Sequence, residues 1–283
     1  MWETASRNCP GPSPSPGRKG RGRNDDRRQV DTLTERLAEE DGVHLWWAIP
    51  DSIRDEAMQE SGKGLLSPDD MERQKRFSSG TARRMHCLGR VLLRTALSRC
   101  EDVPPSAWKF RYTKHGRPEI ASPDIDPPLR FSLSHTDGMI LCAVARRLDV
   151  GIDVEKLSRP CRFERIAGRF FPEPEVRDIE SLSPGERRRR FFEFWTLREA
   201  CLKAGGWGFS LGPDKIAFLR ISEETATVSF DPSLKEDPAQ WRFRLIPFPP
   251  DHTAALAVRG TKAEDFRFSV HRVEEHFLRK SSD

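Results

Sequence analysis

The chain has 283 residues, of which 36% are hydrophobic and 33% are charged, with a formal net charge of +4. This composition supplies a core and a solvated surface, and its charge is too small to mark a nucleic-acid binder. Six scattered cysteines show no CxxC or metal-ligand spacing and are interpreted as reduced. No apolar run reaches membrane-spanning length and no leader pattern follows Met1, so we expect a soluble, cytoplasmic protein.

Residues 1–41 differ in composition from the rest of the chain. Prolines alternate with small residues up to Pro16, and the basic run from Arg18 to Arg28 has almost no apolar content. Such a segment cannot bury enough surface to offset the entropy lost on ordering, so we predict a disordered tail. Binding of the basic run to nucleic acid or a membrane is the alternative, but Asp25 and Asp26 interrupt the run and favour a solvated tail.

Globular patterns begin at Val43 and predict a first α+β half over residues 42–148. Ser67 and Pro68 are typical of a helix start, and apolar residues at helical spacing predict a longer helix after them. The predicted elements are a strand at Val43–Ile49, a helix from Pro68, a helix over Thr81–Arg99, and strands at Trp108–Tyr112, Phe131–Leu133 and Met139–Ala145.

A second α+β half is predicted over residues 149–275, with residues 276–283 as a disordered end. The predicted elements are a strand at Val150–Glu155, helices at Phe163–Phe170 and Gly185–Ala204, and strands at Ile216–Ile221, Ala226–Phe230, Trp241–Ile246, Thr253–Val258 and Phe266–Val273. The order of strand, helices and further strands occurs twice. We therefore predict two similar halves that pack together as a pseudo-dimer.

Two carboxylates stand on alternate positions of the apolar segment Gly151–Glu155, which reads GIDVE. Alternate strand positions share a face and lie roughly 7 Å apart along the backbone, so Asp153 and Glu155 could lean toward one hard cation. Acidic residues in an apolar strand are costly unless they are paired or bound to metal. A solvent-facing strand edge is the other interpretation, and these residues alone leave it open.

The predicted helix ending at Gly205-Gly206 carries a second group of polar residues. Three- and four-residue spacing puts the following on one side: Trp195, Glu199, Leu202 and Lys203. An ordinary surface salt bridge between Glu199 and Lys203 explains such a pair better when it is seen alone. The motifs that precede this helix along the chain favour a functional interpretation of the pair instead.

Four motifs follow one another along the chain. They are Gly-Arg-Pro at 116–118, Ser-Leu-Ser-His-Thr at 132–136, GIDVE at 151–155, and a Trp-x-x-Arg-Glu-Ala-x-x-Lys segment at 195–203. This set resembles the surfactin-type 4′-phosphopantetheinyl transferases, and Arg169-Phe170-Phe171 followed by Glu175 also matches that family. Arg117 and Arg198 replace family lysines, and Arg can still bind phosphate through its planar fork.

The resemblance covers roughly residues 43–260. It implies an enzyme that transfers the 4′-phosphopantetheine arm of coenzyme A to a serine of an acyl or peptidyl carrier protein and releases 3′,5′-ADP. It also implies a Mg²⁺ cofactor held by Asp153, Glu155 and Glu199, which suits the oxygen preference of this ion, and it leaves open whether Glu155 binds the ion directly or through water. Glu199 would help to deprotonate the serine, directly or through a metal-bound water, and Lys203 would contact the pyrophosphate.

The coenzyme A contacts implied by the resemblance are Arg73, Arg117, Ser134, His135 and Lys203. Because most of these lie in the first half and the metal ligands in the second, the active site is expected in the cleft between the halves. The carrier would dock beside this cleft on basic and apolar residues, and the protein would act as a monomer. Three nearby cations remain undecided, with solvated helix faces preferred: Lys75, Arg83 and Arg84.

Two other functions remain open from the residues. A metal-dependent phosphodiesterase or nuclease could use the same carboxylates, but it leaves the Ser-His and Gly-Arg-Pro motifs unexplained. A nucleic-acid-binding adaptor could act through residues 1–41, with strong and salt-sensitive binding. The carrier protein and the pathway cannot be chosen from the sequence.

Overall fold

The computed structural model describes residues 42–208, 211–212, 215–222, 224–260 and 267–278. The predicted tail, residues 1–41, lies outside the described residues, as do residues 279–283 of the predicted disordered end. Mixed helices and strands over the described ranges confirm the predicted α+β class. No helix within these ranges is long and apolar enough to cross a membrane.

Six helices and eleven strands form in the described ranges. The helices are α1 (Asp55–Leu65), α2 (Pro68–Lys75), α3 (Gly80–Cys100), α4 (Phe163–Phe170), α5 (Glu173–Ser181) and α6 (Pro184–Gly205). The strands are β1 (Gly42–Ala48), β2 (Lys109–Tyr112), β3 (Pro118–Ser122), β4 (Leu129–Thr136), β5 (Met139–Arg146), β6 (Asp149–Lys156), β7 (Ile216–Ile221), β8 (Ala226–Phe230), β9 (Trp241–Phe248), β10 (His252–Arg259) and β11 (Arg267–Arg272).

Two larger sheets and two hairpins organise the strands. The first sheet has the order β11-β1-β5-β4, in which β11 runs parallel to β1 and the other pairs are antiparallel. The second sheet has the antiparallel order β6-β10-β9. Strands β2 with β3, and β7 with β8, form separate hairpins.

Strand alternation sorts the buried residues into three cores. The first sheet packs on α3 through residues that include Trp46, Ala48, Ile140, Cys142 and Val144. The two sheets pack on each other through residues that include Val43, Leu45, Leu141, Ala143, Ile152, Val154, Ala254 and Leu256. The second sheet packs on α6 through residues that include Ala255, Ala257, Phe194, Leu197, Ala200 and Cys201. Helix α3, the two sheets and helix α6 therefore form four successive layers.

Strands β4 and β6 meet where the two sheets face each other. Strand β6 is an edge strand, so some of its N–H groups have no ladder partner. The Ser132 hydroxyl accepts a hydrogen bond from the Ile152 N–H at 3.1 Å, and the Ser134 hydroxyl accepts one from the Val154 N–H at 3.3 Å. Serines of the first sheet thereby satisfy backbone groups of the second.

The structure departs from the predicted elements in several places. Helices α1 and α5 and strand β3 were not predicted; α1 contains Gly62 and Gly64, which weaken the helical pattern. The strand predicted over Phe266–Val273 forms as β11, but it pairs with β1 of the first half. A 3₁₀ turn, Glu275–Leu278, covers residues 276–278, for which disorder was predicted.

Candidate active site

Helix α6 has clear start and stop residues. Ser183 and Glu186 form a capping box, Pro184 occupies the first turn, and Gly206 ends the helix with a φ of 72°. Because that φ lies in the left-handed region, glycine is the residue that adopts it without strain. These signals set the two ends of the 22-residue helix.

Strand β6 approaches α6 most closely at Gly151. A Cβ atom at this position would lie 1.9 Å from the Ala200 carbonyl oxygen and 2.6 Å from the Ala204 nitrogen, so only glycine fits. This approach brings the α6 face of β6 against the last turns of the helix. The predicted acidic residues all lie here, each less than a tenth exposed: Asp153, Glu155 and Glu199.

The Asp153 carboxylate uses its two oxygens differently. Oδ1 accepts hydrogen bonds from the Ser134 hydroxyl at 2.8 Å and from Lys203 Nζ at 2.7 Å. Lys203 Nζ also donates to the Ile152 carbonyl oxygen at 2.9 Å. Oδ2 is buried and has no hydrogen-bond partner in the described part of the chain. A buried carboxylate oxygen left in this state indicates a place for a ligand.

Lys203 makes its ion pair with Asp153 on β6. The sequence had left open an ordinary i,i+4 salt bridge between Glu199 and Lys203 on the helix surface. Instead, both residues belong to a buried group, and Lys203 joins the helix to the strand that carries Asp153 and Glu155. The local spacing therefore predicted that Glu199 and Lys203 lie one turn apart, and it left the partner of Lys203 undetermined.

Glu155 is paired with Arg159, which lies four residues further along the chain in the turn after β6. Arg159 Nη1 lies 2.8 and 2.9 Å from the two carboxylate oxygens of Glu155. Burial, followed by the negative charge of Asp153, nevertheless raises the pKa of Glu155 above its usual range. The desolvation of this acid is thus only partly offset by its cation.

Glu199 is the most perturbed acid of the group. Burial raises the pKa of Glu199 to about 7, and the negative charge of Asp153 adds to this effect while Lys203 opposes it. Glu155 contributes in the same direction as Asp153. A carboxyl group with a pKa near neutrality can both hold and release a proton under physiological conditions, which is a property of catalytic acids and bases.

These acids have the chemistry of a hard-cation site, although they do not form a finished one. Across the described ranges, no three His, Cys, Asp or Glu residues are already arranged to hold a metal ion. Three buried carboxylates that repel one another, with the Asp153 Oδ2 atom unsatisfied, would nonetheless be stabilised by a divalent cation with oxygen preference. The donor set therefore fits Mg²⁺, and some adjustment of side chains would complete the site.

Two predicted coenzyme contacts, Arg73 and His135, are exposed in the first half. The Arg73 guanidinium lies over the Tyr112 ring, 4.8 Å from its centroid, and donates to its hydroxyl. Burial, followed by the charge of Arg90, lowers the pKa of His86 on α3 to about 4, and Arg73 and His135 add smaller effects in the same direction. His86 was not predicted as part of this region, since one histidine on an amphipathic helix gives no distinct signal.

Arg117 lies at a joint between the two halves. Its Nη1 atom donates to the Ala204 carbonyl oxygen at 2.9 Å, and its Nη2 atom donates to Asp149 Oδ1 at 3.0 Å. Asp149 also contacts Arg130 at 3.5 Å and Arg259 at 3.0 Å. Arg117 therefore fastens the turn after β2 to the end of α6 and the start of β6, a contact that the motif alone did not predict.

Arg198 is buried inside the second half, where α6 meets α5 and β7. It donates to Glu175 Oε2 at 2.6 Å and to the Ile216 carbonyl oxygen at 2.7 Å, and both charged residues are buried. Glu175 Oε1 accepts from the Phe218 N–H at 2.8 Å. The suggestion that Arg198 could bind phosphate is therefore wrong in this structure, because its guanidinium is buried where it fastens α5 and β7 to α6.

The three undecided cations have protein partners. Lys75 pairs with Glu72 at 2.5 Å on the surface of α2. Arg83 donates to the Phe77 carbonyl oxygen at 3.2 Å, and Arg84 donates to the Pro50 carbonyl oxygen at 2.9 Å and contacts Asp55. Arg84 thus holds the segment after β1 against α3.

Comparison with known proteins places this arrangement in a family. A sequence model described as "4'-phosphopantetheinyl transferase, N-terminal" matches residues 58–147, and one described as "4'-phosphopantetheinyl transferase superfamily" matches residues 149–258. A 4′-phosphopantetheinyl transferase of Nostoc sp., HetI, is 34% identical over 220 residues, which cover 78% of this chain and 89% of that protein. The chain belongs to the 4′-phosphopantetheinyl transferase superfamily.

Two further relatives show the range of the resemblance. The 4′-phosphopantetheinyl transferase Sfp of Bacillus subtilis is 32% identical over 153 residues, which cover 54% of this chain and 66% of that protein. The mouse L-aminoadipate-semialdehyde dehydrogenase-phosphopantetheinyl transferase is 25% identical over 211 residues, which cover 69% of this chain and 67% of that protein. These matches confirm the family resemblance of the four motifs and identify the chain as a transferase of this kind.

Proposed function

We propose that this phosphopantetheinyl transferase moves the 4′-phosphopantetheine group of coenzyme A onto a serine of an acyl or peptidyl carrier protein, depends on Mg²⁺, and releases 3′,5′-ADP. The serine oxygen bonds to the phosphorus that carries pantetheine, and the bond from this phosphorus to the bridging oxygen breaks. That oxygen leaves with the nucleotide. The observation that carries the proposal is the buried group of Asp153, Glu155 and Glu199 beside Lys203.

Glu199 is the proposed proton acceptor. The serine hydroxyl must lose its proton as the new bond forms, and the buried Glu199 carboxylate would accept it. General-base help of this kind typically contributes roughly 10²- to 10⁴-fold to a rate. Its burial supports this role, because the same desolvation that raises the pKa also keeps water from competing for the proton.

Asp153, Glu155 and Glu199 are the proposed ligands of Mg²⁺. When bound, the ion supplies positive charge to the pyrophosphate whose bond is broken. Lys203 would contact the same pyrophosphate and stabilise the departing nucleotide. An ammonium group has three donors, so this contact is compatible with its hydrogen bonds to Asp153 and Ile152.

The first half would bind the coenzyme phosphates through Arg73, Arg117 and His135. The exposed positions of Arg73 and His135 support this proposal, and both lie near the same half-buried histidine of α3, His86. Arg117 has five guanidinium donors and uses two of them at the joint between the halves. A coenzyme that lies across this joint would contact both halves.

The carrier protein would dock on α4 and the segment before it. Arg162, Arg165 and Arg169 are exposed at spacings of three and four residues, which puts them along one side of the helix, and Phe170 is 39% exposed beside them. A row of arginines next to an aromatic side chain suits an acidic helical partner. We further propose that the enzyme acts as a monomer, which light scattering in solution would test.

The proposal is tested by the mass of the carrier. The protein, coenzyme A and Mg²⁺ are incubated with a panel of apo carriers from fatty acid, polyketide, nonribosomal peptide and lysine pathways. We expect at least one carrier to gain one phosphopantetheine group, and a carrier whose modified serine is replaced by alanine to gain none. Failure with every carrier, using folded protein, would overturn the proposal. Coenzyme A cleavage without any carrier would indicate a phosphodiesterase.

A further inference from the structure

Ser134 is placed at the contact between the two sheets. It lies on β4 of the first sheet and is 8% exposed. Its hydroxyl donates to Asp153 Oδ1 at 2.8 Å and accepts from the Val154 N–H at 3.3 Å, so both contacts reach β6 of the second sheet. The family resemblance had implied a contact between this serine and the coenzyme A phosphates.

The hydrogen-bonding capacity of a hydroxyl decides between these roles. A serine has one O–H donor, and a fully ionised phosphate oxygen needs a donor. The single donor of Ser134 is already directed at Asp153. A phosphate contact through this side chain would therefore break the hydrogen bond to Asp153 and leave that buried carboxylate with less support.

We propose that Ser134 is a positioning residue for Asp153 and not a ligand of the coenzyme A phosphates. Together with Lys203 it holds Oδ1, which fixes the carboxylate rotation and directs Oδ2 as a ligand oxygen. The inference deepens the proposed function and rests on it. It also means that the packing of the first sheet sets the geometry of an acid in the second.

Ser132 provides a matched control two residues earlier on the same strand. It is 6% exposed, and its hydroxyl accepts from the Ile152 N–H at 3.1 Å. Ser132 and Ser134 therefore each satisfy one backbone N–H of β6 across the sheet contact. Only Ser134 also bonds to a carboxylate of the site, so a comparison of the two alanine variants isolates that bond.

The test compares Ser134→Ala with Ser132→Ala in the full chain. For Ser134→Ala we expect kcat to fall and the Mg²⁺ concentration for half-maximal rate to rise, each by about tenfold or more, which is the usual effect of losing a partner of a metal ligand. Its KM for coenzyme A should stay within about twofold of wild type, because no phosphate contact is lost. Ser132→Ala should leave the Mg²⁺ dependence within about twofold.

Two measurements that do not use turnover complete the test. Binding of Mn²⁺ to the coenzyme-loaded protein, followed by electron paramagnetic resonance, should weaken about tenfold in Ser134→Ala alone. Binding of coenzyme A in EDTA, followed by calorimetry, should be the same in both variants and wild type. If Ser134→Ala does not fold, Ser134→Cys fills the position with a slightly larger group that is a much weaker donor, and it replaces the alanine variant in every measurement.

The opposite pattern would overturn the inference. Coenzyme A binding in EDTA that weakens about tenfold in Ser134→Ala, with unchanged Mn²⁺ binding, would make Ser134 a phosphate ligand. Equal Mn²⁺ weakening in both alanine variants would assign the effect to the sheet contact. A wild-type protein that transfers nothing to any carrier would instead overturn the proposed function, which separates the two failures.

Discussion

Helix α6 carries two buried cations whose surroundings differ. Arg198 meets Glu175, and both oxygens of that carboxylate have partners: the guanidinium and the Phe218 N–H. Lys203 meets Asp153, where two donors share one oxygen and the other has no partner in the described part of the chain. Two more acids, Glu155 and Glu199, lie beside the Lys203–Asp153 pair.

The difference separates a structural ion pair from a candidate catalytic one. A buried pair in which both carboxylate oxygens have partners fastens elements together, as Arg198 and Glu175 fasten α6 to β7. A buried pair whose carboxylate leaves one oxygen without a partner has a position at which a further ligand can bind. From residue types alone, the Arg198–Glu175 and Lys203–Asp153 pairs cannot be told apart, since each joins one cation to one carboxylate.

The largest expected effect comes from Glu199→Gln, which changes an acid next to the candidate catalytic pair, Lys203 and Asp153. Glutamine keeps the shape of the side chain but cannot accept the serine proton, so kcat should fall roughly 10²- to 10⁴-fold. The thermal midpoint should stay level or rise, because a buried acid with a raised pKa is replaced by a neutral group. Release of 3′,5′-ADP and a melting curve measure the two effects. A wild-type rate would remove Glu199 from the chemistry.

Arg198→Met, in the structural ion pair, should have the reverse effect: it should lower stability and leave transfer nearly unchanged. It leaves Glu175 buried without its cation, which typically costs about 3–5 kcal/mol of unfolding free energy. Transfer per folded molecule should stay near the wild-type value. Urea unfolding measures the first effect, and a double variant with Glu175→Met should recover much of the loss. A single variant as stable as wild type would contradict a structural role for this pair.

Gly151→Ala should lower both stability and transfer, because it pushes β6 away from α6. The added Cβ meets the backbone at Ala200, which cannot yield as a side chain does, so overpacking should cost about 1–3 kcal/mol and reduce transfer. Gly185→Ala is the control, because a Cβ there meets nothing within 4 Å. Equal unfolding curves for the two variants would show that the close approach is not needed.

The smallest effect concerns stability against pH in metal-free protein. Glu199 has its pKa raised on folding to about 7, so the folded state binds more protons than the unfolded state between about pH 4.3 and pH 7. This acid therefore makes stability fall as pH rises through that window. Urea unfolding in EDTA should show a shallower fall in Glu199→Gln between pH 6 and 7. Parallel curves would contradict the raised pKa.

Local sequence patterns predicted which side chains share a face within one strand or one helix. Alternation in the GIDVE segment predicted that Asp153 and Glu155 share a face, and helical spacing predicted that Glu199 and Lys203 lie together. The structure brings these residues into one buried group, as their mutual effects on pKa show. Both predictions needed only the residue period of one strand or one helix.

The partners of each side chain depended on distant elements and were not predictable. Whether Arg198 turns toward Glu175 or toward the acids depends on where α5 and β7 pack, and no pattern within the helix records that. In the same way, the Ser-His motif drew attention to Ser134 without showing that its hydroxyl faces Asp153 across two sheets. Tertiary packing decides such choices.

Strand β11 has a consequence for how this chain can be recombined. It is the last described strand, yet it pairs along β1, the first described strand. A chimera that takes its second half, from residue 149 onward, from a relative would also import one strand of the first sheet. Its success would then depend on whether the foreign strand fits against Gly42–Trp47, so a crossover at the midpoint does not exchange independent modules.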